Sequence, residues 1–314
     1  SMKPAPQQVI RDNPGVSASF TRGAAFVIIR TIVRDERLVI PYKESSFTTS
    51  STKKSLLKAF RKQCPQYDDV QFQKLSGSKD LEKSLMEFER HYTTYTFKVG
   101  VLVGLPGQSE NAMFCNSETS KGFDEFLLFL GDKVVLEGFE KFRGGLDVKS
   151  NTTGTHSFFA TYKEDIEMMF HVSTYLPFDS ANEQQLERKR HLGNDVCLII
   201  YLDSSEISPK FNPDIMCSQV NQVFVVCHPV MSPKTGKKAI YVNIANKKGV
   251  PLYHPFLPSP PIFELTEGDR MKFLLKVINA ERAAMCAPVY KTKLRRTRRQ
   301  MLQNIVESFQ DGSV

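Results

Sequence analysis

The sequence predicts an α/β fold, and three observations carry that prediction. From Thr93 onward, β-branched apolar runs alternate with amphipathic helical stretches, an order that builds helices onto a sheet. The runs are short and bounded by Gly, Pro and polar turns, as strands require. The chain has 314 residues with a hydrophobic fraction of 41%, enough to bury a sizeable core. With no Trp, the 23 Phe and 10 Tyr must supply the bulky packing.

Residues 1–20 are polar and proline-bearing, a poorly ordered start by expectation. Ala24–Val33 reads as a buried strand, with Arg37–Tyr42 as its hairpin partner. Ser45–Ser55 is hydroxyl-rich and loop-like, leading into a helix over Lys53–Cys64. Tyr67–Lys83 fits no single period. Thr93–Val103 (TTYTFKVGVLV) is a strand closed by Gly104-Leu105-Pro106-Gly107. Phe123–Leu130 is an amphipathic helix ended by Gly131, and Val134–Leu136 a short strand. Phe142–Gly154 is Gly-rich and polar, hence a long connection. His156–Tyr162 and Ile166–Val172 flank a tight polar turn and read as a hairpin. A helix from Gln184 and a strand over Val196–Leu202 follow. Val220–Val226 and Ala239–Ile244 are strands around a PKTGKK turn. Pro251–Pro261 is an irregular crossing segment. Gly268–Ala287 is a helix, interrupted by Pro288, and Tyr290–Phe309 a second one. No internal repeat recurs.

The formal net charge is +8, with six basic residues between Lys291 and Arg299. Such an excess favours an anionic partner: an acidic protein, a membrane surface or nucleic acid. Little aromatic residue interleaves this cluster, which speaks against single-stranded nucleic acid. The six cysteines form no CxxC and keep no regular spacing, the usage of a reduced, intracellular protein. The reading is therefore cytoplasmic, with recruitment to membranes left open. No apolar run approaches the ~20 residues that span a bilayer. Ser1-Met2 reads as a remnant ahead of a native start, so a longer parent is expected. Neither GxxxxGK[ST] nor GxGxxG is present, and Cys227-His228 are adjacent, a poor zinc geometry. No cofactor and no metal are expected. His171, in an apolar strand, reads as a satisfied core imidazole.

Gln184–Asp195 (QQLERKRHLGND) concentrates the chemistry. Its helical pattern turns Leu186 inward and Glu187, Arg188, Lys189 and Arg190 outward. His191 and Asn194 then share one helical face at a spacing of three. The plain alternative is a basic surface helix ended by Gly193 in the left-handed region, with Asn194 as a turn residue. The other reading runs the helix through Gly193 and aims a neutral amide at a partner. Glycine inside a helix costs about 1 kcal/mol, tolerable where another backbone approaches closely.

At these residues the sequence resembles the Rap GTPase-activating domain family. The resemblance is carried by Thr96-Phe97-Lys98-Val99-Gly100-Val101, Phe142-Arg143-Gly144-Gly145-Leu146-Asp147 and Thr153-Gly154-Thr155-His156-Ser157. Met168-Met169-Phe170-His171-Val172-Ser173-Thr174 and Lys189-Arg190-His191-Leu192-Gly193-Asn194-Asp195 fit most closely. It spans roughly residues 93–309 in family order and favours the second reading of the 184–195 stretch. It implies a GTPase-like α/β catalytic domain over 93–314, preceded by a smaller α+β domain over 1–92 of the dimerisation type. It also implies an asparagine, matched by Asn194, inserted into the active site of a Rap-type small GTPase. A carboxamide offers both a donor and an acceptor for the attacking water. His191 is expected to support that site, and Lys189, Arg190 and, less directly, Arg298 to meet the GTPase. GTP and Mg²⁺ would be held by the partner. Rheb and Ral stand as other substrates of the same class. A scaffold that binds GTPases or acidic membranes without activation is the rival reading.

Overall fold

The apolar runs at Ala24 and Arg37 form the expected hairpin: β1 (Arg22–Arg30) pairs antiparallel with β2 (Asp35–Lys43). Period-two alternation gives this ribbon two unlike faces. Val27, Ile29, Leu38 and Ile40 pack with Leu56, Ala59 and Phe60 of α1 (Thr49–Gln63). On the other face Phe26 lies opposite Val39, and both are exposed. The helix starts earlier than the expected Lys53, because Thr49–Thr52, read as loop, already belong to it. This computed structural model describes residues 22–31, 35–43, 49–71, 75, 78–92, 95–206 and 208–309. The expectations for residues 1–20, 32–33, 45–48, 72–74, 76–77 and 93–94 lie outside them. Where the sequence period was ambiguous, α2 (Lys79–Tyr92) forms, with the Ser78 hydroxyl accepting from the Leu81 N–H and Phe88 buried.

Contacts divide the chain into two compact units, Ser1–Leu81 with Arg298–Val314, and Glu82–Thr297. The second unit carries an eight-stranded mixed sheet. Its first strand, β3 (Thr96–Gly104), is buried along nearly its whole length, so both its faces need cover. Two short helices follow, α3 (Glu110–Phe114) and α4 (Lys121–Leu130), whose first turns are capped by the hydroxyls of Ser109 and Ser120. The chain then makes β4 (Asp132–Val135), β5 (His156–Tyr162) and β6 (Ile166–Val172), crosses through α5 (Leu186–Leu192), and returns as β7 (Cys197–Leu202). β8 (Val223–Met231), β9 (Lys238–Asn246) and β10 (Ile262–Glu264) complete the sheet, and α6 (Glu267–Ala284) and α7 (Pro288–Phe309) close the chain.

The strand order is β10-β9-β8-β7-β3-β6-β5-β4. The central four, β8-β7-β3-β6, run parallel, and antiparallel strands flank them on both sides. One face carries Val99, Val101, Phe170 and Ile199 against Phe123, Phe126 and Leu127 of α4 and Phe273, Leu274, Val277 and Ile278 of α6. The other carries Leu102, Met169, Leu198, Ile200 and Phe224 against Met113 and Phe114 of α3 and Leu192 of α5. Register aligns His171 of β6, Gly100 of β3, Leu198 of β7 and Phe224 of β8 in one row across this second face. That row is the floor on which α5 rests.

Candidate functional site

α5 lies on the sheet because Gly100 gives it room. A Cβ built there would come within 2.6 Å of Leu198 Cδ1, 3.1 Å of Asp195 Oδ2 and 3.3 Å of Leu192 Cγ. Any side chain at position 100 would lift the helix and the turn that follows it. Leu192 is fully buried, the anchor of the helix on the sheet. Complete burial of a Leu side chain contributes about 1.5–3 kcal/mol.

The helix is rotated from the sequence expectation. Leu186, expected inside, is 56% exposed, whereas Arg188, expected outside, is 1% exposed. The Arg188 guanidinium donates to the carbonyls of Phe114 (2.8 Å) and Asn116 (2.7 Å) and lies over the Phe178 ring. It thereby caps the last turn of α3, where unpaired carbonyls concentrate. Burial pulls its pKa below the ordinary arginine value. Lys189 Nζ donates to Glu110 Oε2 (3.2 Å) and Asn111 Oδ1 (2.5 Å), so two residues of α5 tie it to α3. Arg190 remains a surface cation, with only an exposed contact to Glu187.

Gly193 does not take the left-handed conformation expected of a helix-ending glycine. It has φ −68° and ψ −16°, the right-handed region, as the cap of a helix that ends at Leu192, and a turn carries the chain into Asn194. A Cβ on Gly193 would lie 2.4 Å from the Lys189 carbonyl oxygen. Asn194 is exposed. Its Nδ2 donates to the Arg190 carbonyl at 2.7 Å, and its backbone N–H to that of His191 at 3.0 Å. The amide is thereby oriented, and Oδ1 and the second amide hydrogen have no partner among the described residues. The carbonyls on either side of Asn194 are clamped from the loop before β8. The Ser218 hydroxyl donates to Gly193 at 2.6 Å, and buried Asn221 donates to Leu192 at 2.9 Å and Asp195 at 2.6 Å.

Beneath the turn lies a buried titratable cluster. His171 is 1% exposed and Asp195 0%. His171 Nδ1 stands 2.8 Å from Asp195 Oδ2, and Nε2 stands 3.0 Å from the Gly144 carbonyl. The His191 ring packs edge-on against that of His171, with centroids 5.3 Å apart. Burial first, and His171 second, hold His191 below its ordinary pKa. Lys98 Nζ approaches Asp195 Oδ1 at 3.5 Å. From the opposite face of the sheet, Glu281 accepts from the Cys197 N–H at 2.9 Å, and burial pushes its carboxyl up to about 8.

Lys189, Arg190, His191 and Asn194 are thus brought together on one helix and its turn. Arg298 has other partners. It belongs to the other compact unit, 7% exposed, with its guanidinium on the Asp35 carboxylate and the Thr31 carbonyl. A guanidinium so engaged is not offered at the surface. His171 is a satisfied core imidazole, as its apolar strand suggested, but its partner lies next to Asn194 in sequence. Sequence reasoning missed Gly100, Glu110, Ser218 and Asn221, which act through long-range contacts that no local spacing reveals. Among the described residues no group of three or more His, Cys, Asp or Glu could hold a metal ion, and no helix is long and apolar enough to cross a membrane. A cavity of about 710 Å³ lies elsewhere, between Pro255–Pro260 and the start of α6.

Comparison with known proteins places this geometry. A solved structure of the TSC2 GAP domain superposes with a TM-score of 0.52 at 27% identity, covering 60% of this chain and 97% of that one. The large unit therefore has the mixed α/β fold of a GTPase-activating domain. The Rap/ran-GAP family profile matches residues 113–299, a stretch that includes all of α5 and its turn. The chain belongs to the Rap/Ran-GAP family. RapA guanosine triphosphatase-activating protein 1 of Dictyostelium discoideum is 33% identical, over 95% of this chain and 33% of its own length. The human GTPase-activating Rap/Ran-GAP domain-like protein 3 is 37% identical, over 72% of this chain and 22% of its own. The chain spans at most a third of these relatives.

Proposed function

We propose that this chain stimulates GTP hydrolysis by a small GTPase of the Rap type, and that Asn194 acts in trans on the attacking water. The exposed carboxamide of Asn194, held on a rigid turn within a family-matched stretch, carries the proposal. One amide hydrogen is tied to Arg190. That tie leaves Oδ1 to accept from a water O–H and the second amide hydrogen to donate. Phosphoryl transfer to water is limited by placing the nucleophile in line with the γ-phosphate, so a preset amide lowers the barrier without itself changing protonation state. Arg190, at the surface, supplies positive charge toward an anionic partner. Lys189 would reach the partner only by exchanging Glu110 and Asn111 for it. Arg298 would likewise have to leave Asp35, which makes it the weakest of the expected contacts. Arg188 is engaged internally and supplies no arginine finger. GTP and Mg²⁺ belong to the GTPase, and no cofactor is assigned to this chain.

The pairing of two copies is supported by the exposed apolar face of the hairpin, Phe26, Ile28 and Val39. The rival scaffold reading, on acidic membranes or GTPases, draws on the exposed cations of α7.

The test is single-turnover phosphate release from GTP-loaded Rap, Rheb and Ral. Acceleration of Rap above the others, lost in Asn194→Ala, is expected. An Asn194→Ala protein that activates at the wild-type rate removes the assignment.

A further inference from the structure

We infer that His171 and Asp195 are positioning residues for GTPase activation, a buried pair that sets the place of the Asn194 amide from below. The inference rests on the role proposed for Asn194. The pair is not needed to fill the core, where an apolar side chain of similar volume would serve without burying charge. What it does is join three separate pieces of backbone. His171 stands in the row of β6, Gly100 and Leu198 that floors α5. Its Nε2 reaches the Gly144 carbonyl, and its Nδ1 reaches the carboxylate of the residue that follows Asn194.

The hydrogen-bond chemistry fixes most of the proton inventory. A carbonyl oxygen only accepts, so Nε2 must carry a proton toward Gly144. One further proton occupies the Nδ1 to Oδ2 bond, whether on the ring or on the carboxyl, and either way the bond is maintained. Gly144 is shaped for this contact. It has φ +63°, and a Cβ there would lie 3.1 Å from His171 Nε2 and 3.1 Å from Met169 Cβ. The other groups facing the pair are Lys98 from β3, 3.5 Å from Asp195 Oδ1, His191 from α5, packed edge-on against His171, and Glu281 from α6 behind the Cys197 amide. His191 thus touches the pair on one side and belongs to the same turn as Asn194 on the other. Movement of His171 is passed to the amide along both routes.

Two substitutions separate the arms of His171. In His171→Gln the amide nitrogen can reach Gly144, but nothing takes the place of Nδ1. In His171→Asn the amide nitrogen takes the place of Nδ1 and keeps Asp195, but Gly144 is lost. Phosphate release from GTP-loaded Rap is measured at saturating activator, with binding measured separately on the same proteins. The expected result is a saturating rate lowered about 100-fold in His171→Gln, the scale of an ångström misplacement of a reacting group, with affinity for the GTPase unchanged. His171→Asn should retain a rate within about tenfold of wild type. On an Asn194→Ala background, His171→Gln should cost nothing further, because residues acting as one unit are not additive.

A folded His171→Gln protein with the wild-type saturating rate overturns the inference, as does an equal loss on the Asn194→Ala background. If His171→Gln does not fold, His171→Asn decides alone. A near wild-type rate supports the Asp195 arm, and a loss as deep as that of Asn194→Ala overturns it. Wild-type activation by Asn194→Ala itself would bring down the reading beneath, a failure distinct from the others.

Discussion

Two cationic stretches look alike in the sequence and differ in the structure. In α5, Arg188, Lys189, Arg190 and His191 follow one another, yet only Arg190 projects as a surface cation. Arg188 is buried on the carbonyls of Phe114 and Asn116, and Lys189 is held by Glu110 and Asn111. In α7, every residue from Lys291 to Thr297 is exposed, Lys291, Lys293, Arg295 and Arg296 among them, and the helix has no acidic residue before Glu307. Like charges at i,i+4, such as Lys291 and Arg295, weaken a helix by a few tenths of a kcal/mol. The first stretch uses its charge to fix a geometry, whereas the second presents its charge to solvent as far as Thr297 and engages Arg298 on Asp35 and Thr31. Catalysis by positioning needs the former, whereas a field that attracts a partner needs only the latter.

Substitutions can break that contrast or sharpen it. The largest effect is expected from Asn194→Ala, about 100- to 1,000-fold in stimulated hydrolysis, the scale for a lost transition-state hydrogen-bonding group. Its melting temperature should match wild type, because the residue is exposed. Arg188→Met comes next. It leaves the buried Phe114 carbonyl and the part-buried Asn116 carbonyl without this donor, and should destabilise the protein by roughly 2–3 kcal/mol in denaturant unfolding while lowering the stimulated rate. Arg190→Met should leave stability unchanged, which would separate the two arginines directly.

Glu281→Gln tests the support beneath the turn. Its carboxyl is raised to about 8 by burial, so the folded state holds a proton that the unfolded state releases above its ordinary value near 4.5. That contribution is fully present below pH 4.5 and is lost as pH rises through 8. Glutamine keeps an acceptor for the Cys197 N–H and cannot ionise. The variant should be more stable than wild type at pH 8 by roughly 1 kcal/mol or more, and the difference should vanish toward pH 4.5. The smallest effect is expected from neutralising Lys291, Lys293, Arg295 and Arg296 together with Gln. The saturating rate should not change, and any loss of affinity should fade as salt is raised, since exposed charges are screened beyond about 8–10 Å.

Much of the fold was legible in the sequence, for reasons of period. The hairpin of His156–Tyr162 and Ile166–Val172 falls at its predicted bounds because alternation and a tight turn specify it locally. The α/β alternation likewise emerged from runs too apolar to be anything but buried strands. The rotation of α5 was not legible. Leu186 and Arg188 exchange their expected places because the carbonyls at the end of α3 need donors, and that demand arises far away in the chain. Of the two readings of Gly193 the left-handed one fails for a related reason: the clamps from Ser218 and Asn221 supply the hydrogen bonds that a left-handed glycine would otherwise arrange. The 184–195 stretch was recognisable as special, but its mounting on Gly100 and on the His171–Asp195 pair required the sheet register.

The two outermost strands carry a last consequence. The border strands of an open sheet offer a template for a stranger's backbone unless their outward amides are engaged or shielded, and in β10 those of Ile262 and Glu264 donate to the Pro260 carbonyl (2.8 Å) and Asp269 Oδ2 (2.9 Å). Here one border is the brief Asp132–Val135, bearing Lys133, and the other is the briefer Ile262–Glu264, entered through Pro258, Pro260 and Pro261. Prolines offer no N–H to an incoming strand, and a lysine makes its approach unfavourable. The borders are guarded against aggregation by shortness and chemistry, so the sheet stays open without inviting fibrils.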